Sequence, residues 1–222
     1  TQSGNDDLKW ETTTQTNIGL DFGLFGQKLS GSVEYYIKKT DDILVLPPYL
    51  GVIGEGGSRW INGASMENKG WELSLGYQNE TSFGLKYDIS GNISANKNKM
   101  TQLPDDVKNN YGGNGVDDNI LGRPINSMYG YVADGLYKSQ SEVDNSAVQE
   151  GKGLGRIRYK DLNGDGTITD KDRTWIGNPN PGFIYGFNLG LTYKNFDFTT
   201  FWEGTANVDV INNTKYQTDF WS

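Results

Sequence analysis

Between Phe183 and Tyr193 every second side chain is aromatic or leucine, and the residues between them are mostly glycine or polar. Side chains alternate across a strand, so this segment carries one apolar face along its whole length. At strand rise it covers about 33 Å, and a tilt of about 40° reduces that to about 25 Å, the height of the apolar band on an outer-membrane barrel. The pattern predicts a strand with Phe183, Tyr185, Phe187, Leu189, Leu191 and Tyr193 toward lipid. Asn188 and Thr192 then face a polar lumen.

Five more segments alternate in the same way. Ile18, Leu20, Phe22 and Leu24 form the apolar file of the first, and Gly26-Gln27-Lys28 turns it into a second with Leu29, Val33, Tyr35 and Ile37. A third carries Trp71, Leu73, Leu75 and Tyr77 toward lipid, and Asn79-Glu80-Thr81-Ser82 turns it into a fourth with Phe83, Leu85, Tyr87, Ile89, Ile93 and Ala95. After Tyr193, Lys194-Asn195 makes a tight hairpin into Phe196, Phe198, Thr200 and Trp202. Short connections follow the first, third and fifth strands; long ones follow the second (about 39–69), the fourth (about 98–182) and the sixth.

No run approaches the ~18 apolar residues of a membrane helix, so a spanning structure of this chain is a barrel. Thirty glycines, six tryptophans and thirteen tyrosines suit turn-rich β structure. A soluble all-β sandwich fits those counts equally well, and so does a passive porin-type barrel. Loop sorting separates sandwich from barrel: in up-down order every short turn falls on one side and every long segment on the other, as in outer-membrane barrels. The expected fold is therefore an antiparallel transmembrane β-barrel portion of six to eight strands. Met128–Tyr137 and Gly155–Tyr159 are weaker extended stretches that would add a pair to the wall. Residues 98–182 are expected outside the cell. No signal segment opens the chain, and both ends read as interior sequence, so residues 1–222 are expected to be one part of a larger barrel protein.

A formal charge of −8 argues against nucleic acid as a partner. Cysteine and histidine are absent, which excludes disulfides, thiolate chemistry and Ser-His-Asp or Cys-His sites. Adjacent acids such as Asp105/Asp106 and Asp117/Asp118 are not held across a cleft as glycoside hydrolysis requires, and Gly112-Gly113-Asn114-Gly115 lacks the lysine and helix of a phosphate loop. No catalytic residue is expected. Aromatics in the long segments (Tyr49, Trp60, Tyr111, Tyr129, Tyr131, Tyr137, Trp175) suit either ligand contact or loop packing.

The sharpest local motif spans residues 161–172. Asp161, Asn163 and Asp165 occupy positions 1, 3 and 5, Gly166 position 6, Thr167 position 7 and Asp172 position 12. Calcium takes six to eight hard oxygens around a tightly wound loop, and this spacing offers them. The shorter Asp at position 12 matches dockerin-type loops, which keeps open a soluble binding module. A structural Ca2+ is the expected ligand; a surface turn of Asp, Asn and Gly is the competing reading.

Longer stretches are similar to a known family. They include Leu8-Lys9-Trp10-Glu11 running to Gly19-Leu20-Asp21, Glu34-Tyr35-Tyr36-Ile37-Lys38-Lys39-Thr40, and Glu67-Asn68-Lys69-Gly70-Trp71-Glu72. Tyr129-Gly130-Tyr131, Asp134-Gly135-Leu136-Tyr137, Arg158-Tyr159-Lys160-Asp161-Leu162-Asn163-Gly164-Asp165-Gly166 and Ile176-Gly177-Asn178-Pro179-Asn180-Pro181 follow in order. Together they resemble SusC/RagA-like TonB-linked outer-membrane transporters across nearly the whole chain. The resemblance implies a late portion of a barrel of about 22 strands with a plugged lumen. It further implies opening by TonB acting through an N-terminal region, a SusD-like surface lipoprotein as partner, and import of oligosaccharides or peptides. The plug and the final barrel strands are not recognisable in this chain, and no substrate-binding residue is singled out.

Overall fold

The computed structural model describes residues 5–47, 59–108 and 119–214. Tyr49, Tyr111, the 112–115 glycine run and Asp117/Asp118 lie outside the described residues. Among the described residues, six strands form one antiparallel sheet: β1 (Thr12–Leu24), β2 (Leu29–Val45), β3 (Ile61–Glu80), β4 (Leu85–Gln102), β9 (Phe183–Tyr193) and β10 (Phe196–Ala206), in that spatial order. It is a plain up-down meander in which each strand pairs with its sequence neighbour, and β9 returns beside β4 after the longest connection.

The expected turns are present, and all three lie at one end. Phe25, Gly26 and Gln27 take left-handed backbone conformations between β1 and β2. The β3–β4 turn is closed from both sides by Thr81, whose N–H donates to the Leu85 carbonyl (2.8 Å) while its Oγ1 accepts from the Leu85 N–H (3.0 Å). Lys194, at φ 54°, makes the two-residue link to β10. The long connections all leave from the opposite end.

Register places every apolar file on one face. Leu20, Val33, Leu73, Ile93 and Tyr185 lie side by side across five strands, as do Leu24, Leu29, Tyr77, Ile89 and Leu189. Two glycines let rings lie flat on this face: a Cβ at Gly31 would sit 2.5 Å from the Phe22 ring, and one at Gly204 2.5 Å from the Tyr185 ring. The other face is polar. Asp21, Ser32, Ser74, Asn92, Gly186 and Glu203 form one cross-strand row of it. Among the described residues no second sheet covers the apolar face, and Phe187, Trp202 and Phe198 are 41%, 65% and 55% exposed. A sandwich would bury that face, so the sandwich reading fails here.

The wall extends further than alternation indicated. β3 has 20 residues and β4 has 18, because backbone pairing continues through Met66↔Met100 to Ser65↔Gln102, where side chains no longer alternate. The longest excursion therefore begins after Gln102 rather than at 98. On the polar face of this upper ribbon the chemistry inverts: Ala64 and Met100 join Val45, Leu103, Val107 and Ile120 in a buried apolar cluster, with Met66 and Trp175 packed on it. The excursion thus folds back over the mouth side of the sheet.

The two extra wall strands expected at Met128–Tyr137 and Gly155–Tyr159 are not in the wall. The first stretch breaks at Val132 into β5 (Met128–Tyr131) and β6 (Ala133–Leu136). β6 pairs with β7 (Ile157–Tyr159), whereas β5 pairs with β8 (Arg173–Gly177), a strand too short to show a period. Each pair is a separate two-stranded sheet. Two short helices, α1 (Asp105–Lys108) and α2 (Gln140–Asn145), complete the excursion.

Candidate functional site

The polar face of the sheet is lined with small side chains that leave room beside the backbone. Shallow depressions of about 490 Å³ and 520 Å³ lie on it, the first over Ser30, Ser32, Ser74, Ser90 and Asn92, the second over Gln78, Glu80, Lys86 and Asp88. Its polar groups bond along the sheet: the Ser32 and Ser74 hydroxyls are 2.7 Å apart, and Asn17 Nδ2 donates to Glu34 Oε1 at 2.6 Å. This is a polar surface rich in groups able to hydrogen-bond.

Above it, β5 and β8 present a ladder of rings and cations. Register sets Tyr129 beside Trp175 and Tyr131 beside Arg173. The Tyr129 and Trp175 rings meet edge to face at 4.9 Å. Arg123 lies 4.9 Å over Trp175, and Arg173 lies 5.4 Å from Tyr129 and 5.8 Å from Tyr131. Tyr131 continues the stack onto Tyr159 at 5.1 Å, and its hydroxyl donates to Asp170 Oδ1 at 3.2 Å. Burial and that acceptor together push the Tyr131 phenol above its ordinary pKa. Of the aromatics considered for ligand contact that the structure describes, Tyr129, Tyr131 and Trp175 are packed into this ladder, Tyr137 is buried outright, and Trp60 is half exposed.

The 161–172 loop is held by its own carboxylates. Asp161 accepts from the Gly164 N–H on Oδ1 (2.7 Å) and from the Gly166 N–H on Oδ2 (2.8 Å). Asn163 Oδ1 accepts from the Asp165 N–H, and Asp165 Oδ1 from the Thr167 N–H, both at 2.9 Å. Thr167 bridges in parallel to Val148, where the Ile168 N–H donates to the Val148 carbonyl at 2.7 Å. Asp172 is fully buried and closes the loop from behind. Its oxygens accept from Leu162 N (2.9 Å) and Thr169 N (2.8 Å), and with Thr169 it forms a capping box around the 3-10 turn Asp170–Asp172. All the donors are hard oxygens, which fits calcium chemically. Among the described residues, however, no three acidic side chains gather as a metal cage; Asp172 is turned to backbone amides. That bracing role was not foreseen from the sequence, although the Thr169-Asp170-Lys171-Asp172 spacing of a capping box was there to be read.

The wall topology and the sorted turns have clear counterparts. The TonB dependent receptor-like β-barrel family model matches residues 1–213. The chain belongs to that family. It is 38% identical to TonB-dependent receptor P3 of Formosa agariphila, over 96% of this chain and 22% of that protein. To TonB-dependent receptor SusC of Bacteroides thetaiotaomicron it is 30% identical, over 88% of this chain and 19% of SusC. The RagAB peptide transporter structure superposes with a TM-score of 0.75 at 26% identity, covering 99% of this chain and 24% of that one. The chain thus spans about a fifth of the length of these curated relatives. The six-stranded sheet is a portion of an outer-membrane β-barrel wall. No described helix is long and apolar enough to cross a membrane.

The Asp172 environment yields a measurable expectation. Burial favours the neutral acid, but the amides of Thr169, Leu162 and Asn163 outweigh it, and the carboxyl sits below its ordinary range. A lowered folded pKa contributes stability above the unfolded value of about 4 and loses it as pH falls toward the folded one. Hydrogen-exchange protection at Leu162, Asn163 and Thr169 should hold from neutral pH down to about 4 and decline only below that. Asp172→Ala, which strands those N–H groups, should open the loop locally at a cost of about 1–3 kcal/mol at neutral pH.

Proposed function

We propose that this chain supplies wall and extracellular rim to a TonB-energised outer-membrane importer of oligosaccharides or peptides that works with a SusD-like surface lipoprotein. The observation that carries the reading is the uncovered apolar face running in phase across six strands of a family barrel. Trp71, Leu73, Leu75, Tyr77, Phe183, Tyr185, Phe187, Leu189, Leu191 and Tyr193 all belong to that face, and in this reading they meet hydrocarbon. The polar face lines the passage, and the excursion, folded over the mouth side, meets substrate and lipoprotein first. TonB acts through a plug, as the family's energised members require. The function is transport rather than catalysis.

Calcium in the 161–172 loop belongs to the same reading. Each carboxylate oxygen has a second lone pair besides the one given to an amide, so Asp161, Asn163, Asp165, the Thr167 carbonyl and Asp172 could hold the ion after a modest turn of Asp172. Its charge would rigidify the loop outside the cell.

Three measurements test these points. Leu189→Arg, near the middle of the band, should reduce the folding free energy in bilayers by about 2–4 kcal/mol, whereas Asn188→Arg should cost far less; equal costs would remove the lipid-face assignment. Uptake of labelled oligosaccharides or oligopeptides should vanish on deletion of either the protein or TonB, and uptake persisting without TonB would point to a passive pore. Calorimetric calcium titration should give saturable heat that Asp165→Ala abolishes; an isotherm unchanged by that substitution removes the metal.

A further inference from the structure

The apolar face of the sheet does not fade gradually at the end carrying the long connections. Above the ring of Tyr35 and Trp71, the next row on the same face runs Thr16, Ile37, Lys69 and Lys97, the two lysines directly opposite one another, and the row beyond it runs Thr14, Lys39, Glu67 and Lys99. At strand rise these rows stand about 7 Å and about 14 Å beyond the aromatic one. We propose that Lys39, Lys69, Lys97 and Lys99 form a docking site for the phosphate-bearing headgroup of an outer-leaflet lipid. This rests on the reading that the face below meets hydrocarbon.

Four observations support the site. The chain as a whole carries −8, yet these two rows hold four lysines and one carboxylate, Glu67, which lies 2.8 Å from the Lys69 ammonium and 4.0 Å from that of Lys39. Like charges opposed across a ladder repel, so the Lys69–Lys97 pair favours an anion between them. The lysine side chains stand open to the surroundings, Lys39 being 61% and Lys69 46% exposed, with Lys69 also holding Glu67. Finally, a cleft of about 400 Å³ opens where the β4–β9 ladder ends, and its lining combines Lys69 and Lys97 with Trp71 and Phe183, beside Asn96, Asn98, Asn178 and Asn180. A ligand charged at one end and greasy at the other matches that lining, and its depth matches the headgroup level, where lysines extend from a barrel's apolar band.

Native mass spectrometry on the intact protein, extracted from outer membranes in detergent, provides the test. The probes are monophosphoryl lipid A, the same glycolipid without phosphate, and inorganic phosphate. The phosphorylated glycolipid should be retained about tenfold more than its dephosphorylated form. Lys69→Gln/Lys97→Gln should lower that retention by about tenfold, while Lys194→Gln at the opposite rim should leave it unchanged. Equal retention of the two glycolipids, or retention indifferent to the double substitution, overturns the site. Inorganic phosphate competing at concentrations similar to the lipid reassigns it to a free anion and overturns the lipid. A separate readout guards the underlying reading: the part of the fluorescence lost in Trp71→Phe should be quenched by brominated acyl chains. Quenching without a lysine effect removes the headgroup site alone; absence of quenching removes the lipid-facing assignment as well.

Discussion

Phase coherence between neighbouring strands is the constraint on which the wall depends. A slip of one residue at any ladder would turn an entire strand inside out, setting leucines and rings on the polar side. Three ladders are locked by tight turns, at Phe25–Gln27, Thr81–Gly84 and Lys194. The β2–β3 and β4–β9 ladders have no such lock, since long connections separate their strands. There the side chains hold register: Ser32 against Ser74, and Phe22 with Leu75 converging over Gly31, whose missing side chain leaves space for them. Across β4 and β9 the glycine is Gly186, where a Cβ would meet the Asn92 Oδ1 at 2.6 Å.

The same sheet does different work at its two ends. Its lower part is a thin, two-faced layer with no interior of its own, so any apolar burial there comes from outside the chain. Its upper part, where β3 and β4 outrun the apolar band, acquires a small conventional core from the excursion. The Arg–aromatic ladder then extends that core sideways through Trp175, a ring that packs on the cluster and also receives Arg123 on its face. Rings and cations brace the excursion where an aliphatic core is too small to do so alone.

Legibility in the sequence followed where hydrophobic period is strong. β1, β9, β10 and the lower halves of β2, β3 and β4 alternate, and their turns carry glycine, asparagine and lysine at the expected places. Ile61–Gly70 and Asn96–Gln102 do not alternate, because one side of them meets the excursion and the other is charged. Their strand character follows from pairing rather than pattern. Met128–Tyr137 misled for a related reason: a run of extended residues does not reveal that Val132 divides it between two partners. At the 161–172 loop the oxygen spacing was plain. That the Asp172 carboxylate accepts from the amides of Leu162 and Thr169 depends on burial that spacing cannot show. Lys69 facing Lys97 is likewise invisible until register is known.

The tall β3–β4 ribbon has a mechanical consequence. The excursion's core is seated directly on it through Ala64, Met66 and Met100, and the Met100 backbone also bonds to Gly122 and Arg123. The excursion therefore cannot swing as a loose flap. A pull or push delivered to it is transmitted along two cantilevered strands into the hydrogen-bond ladders beneath, so rim and wall answer a load as one stiff frame.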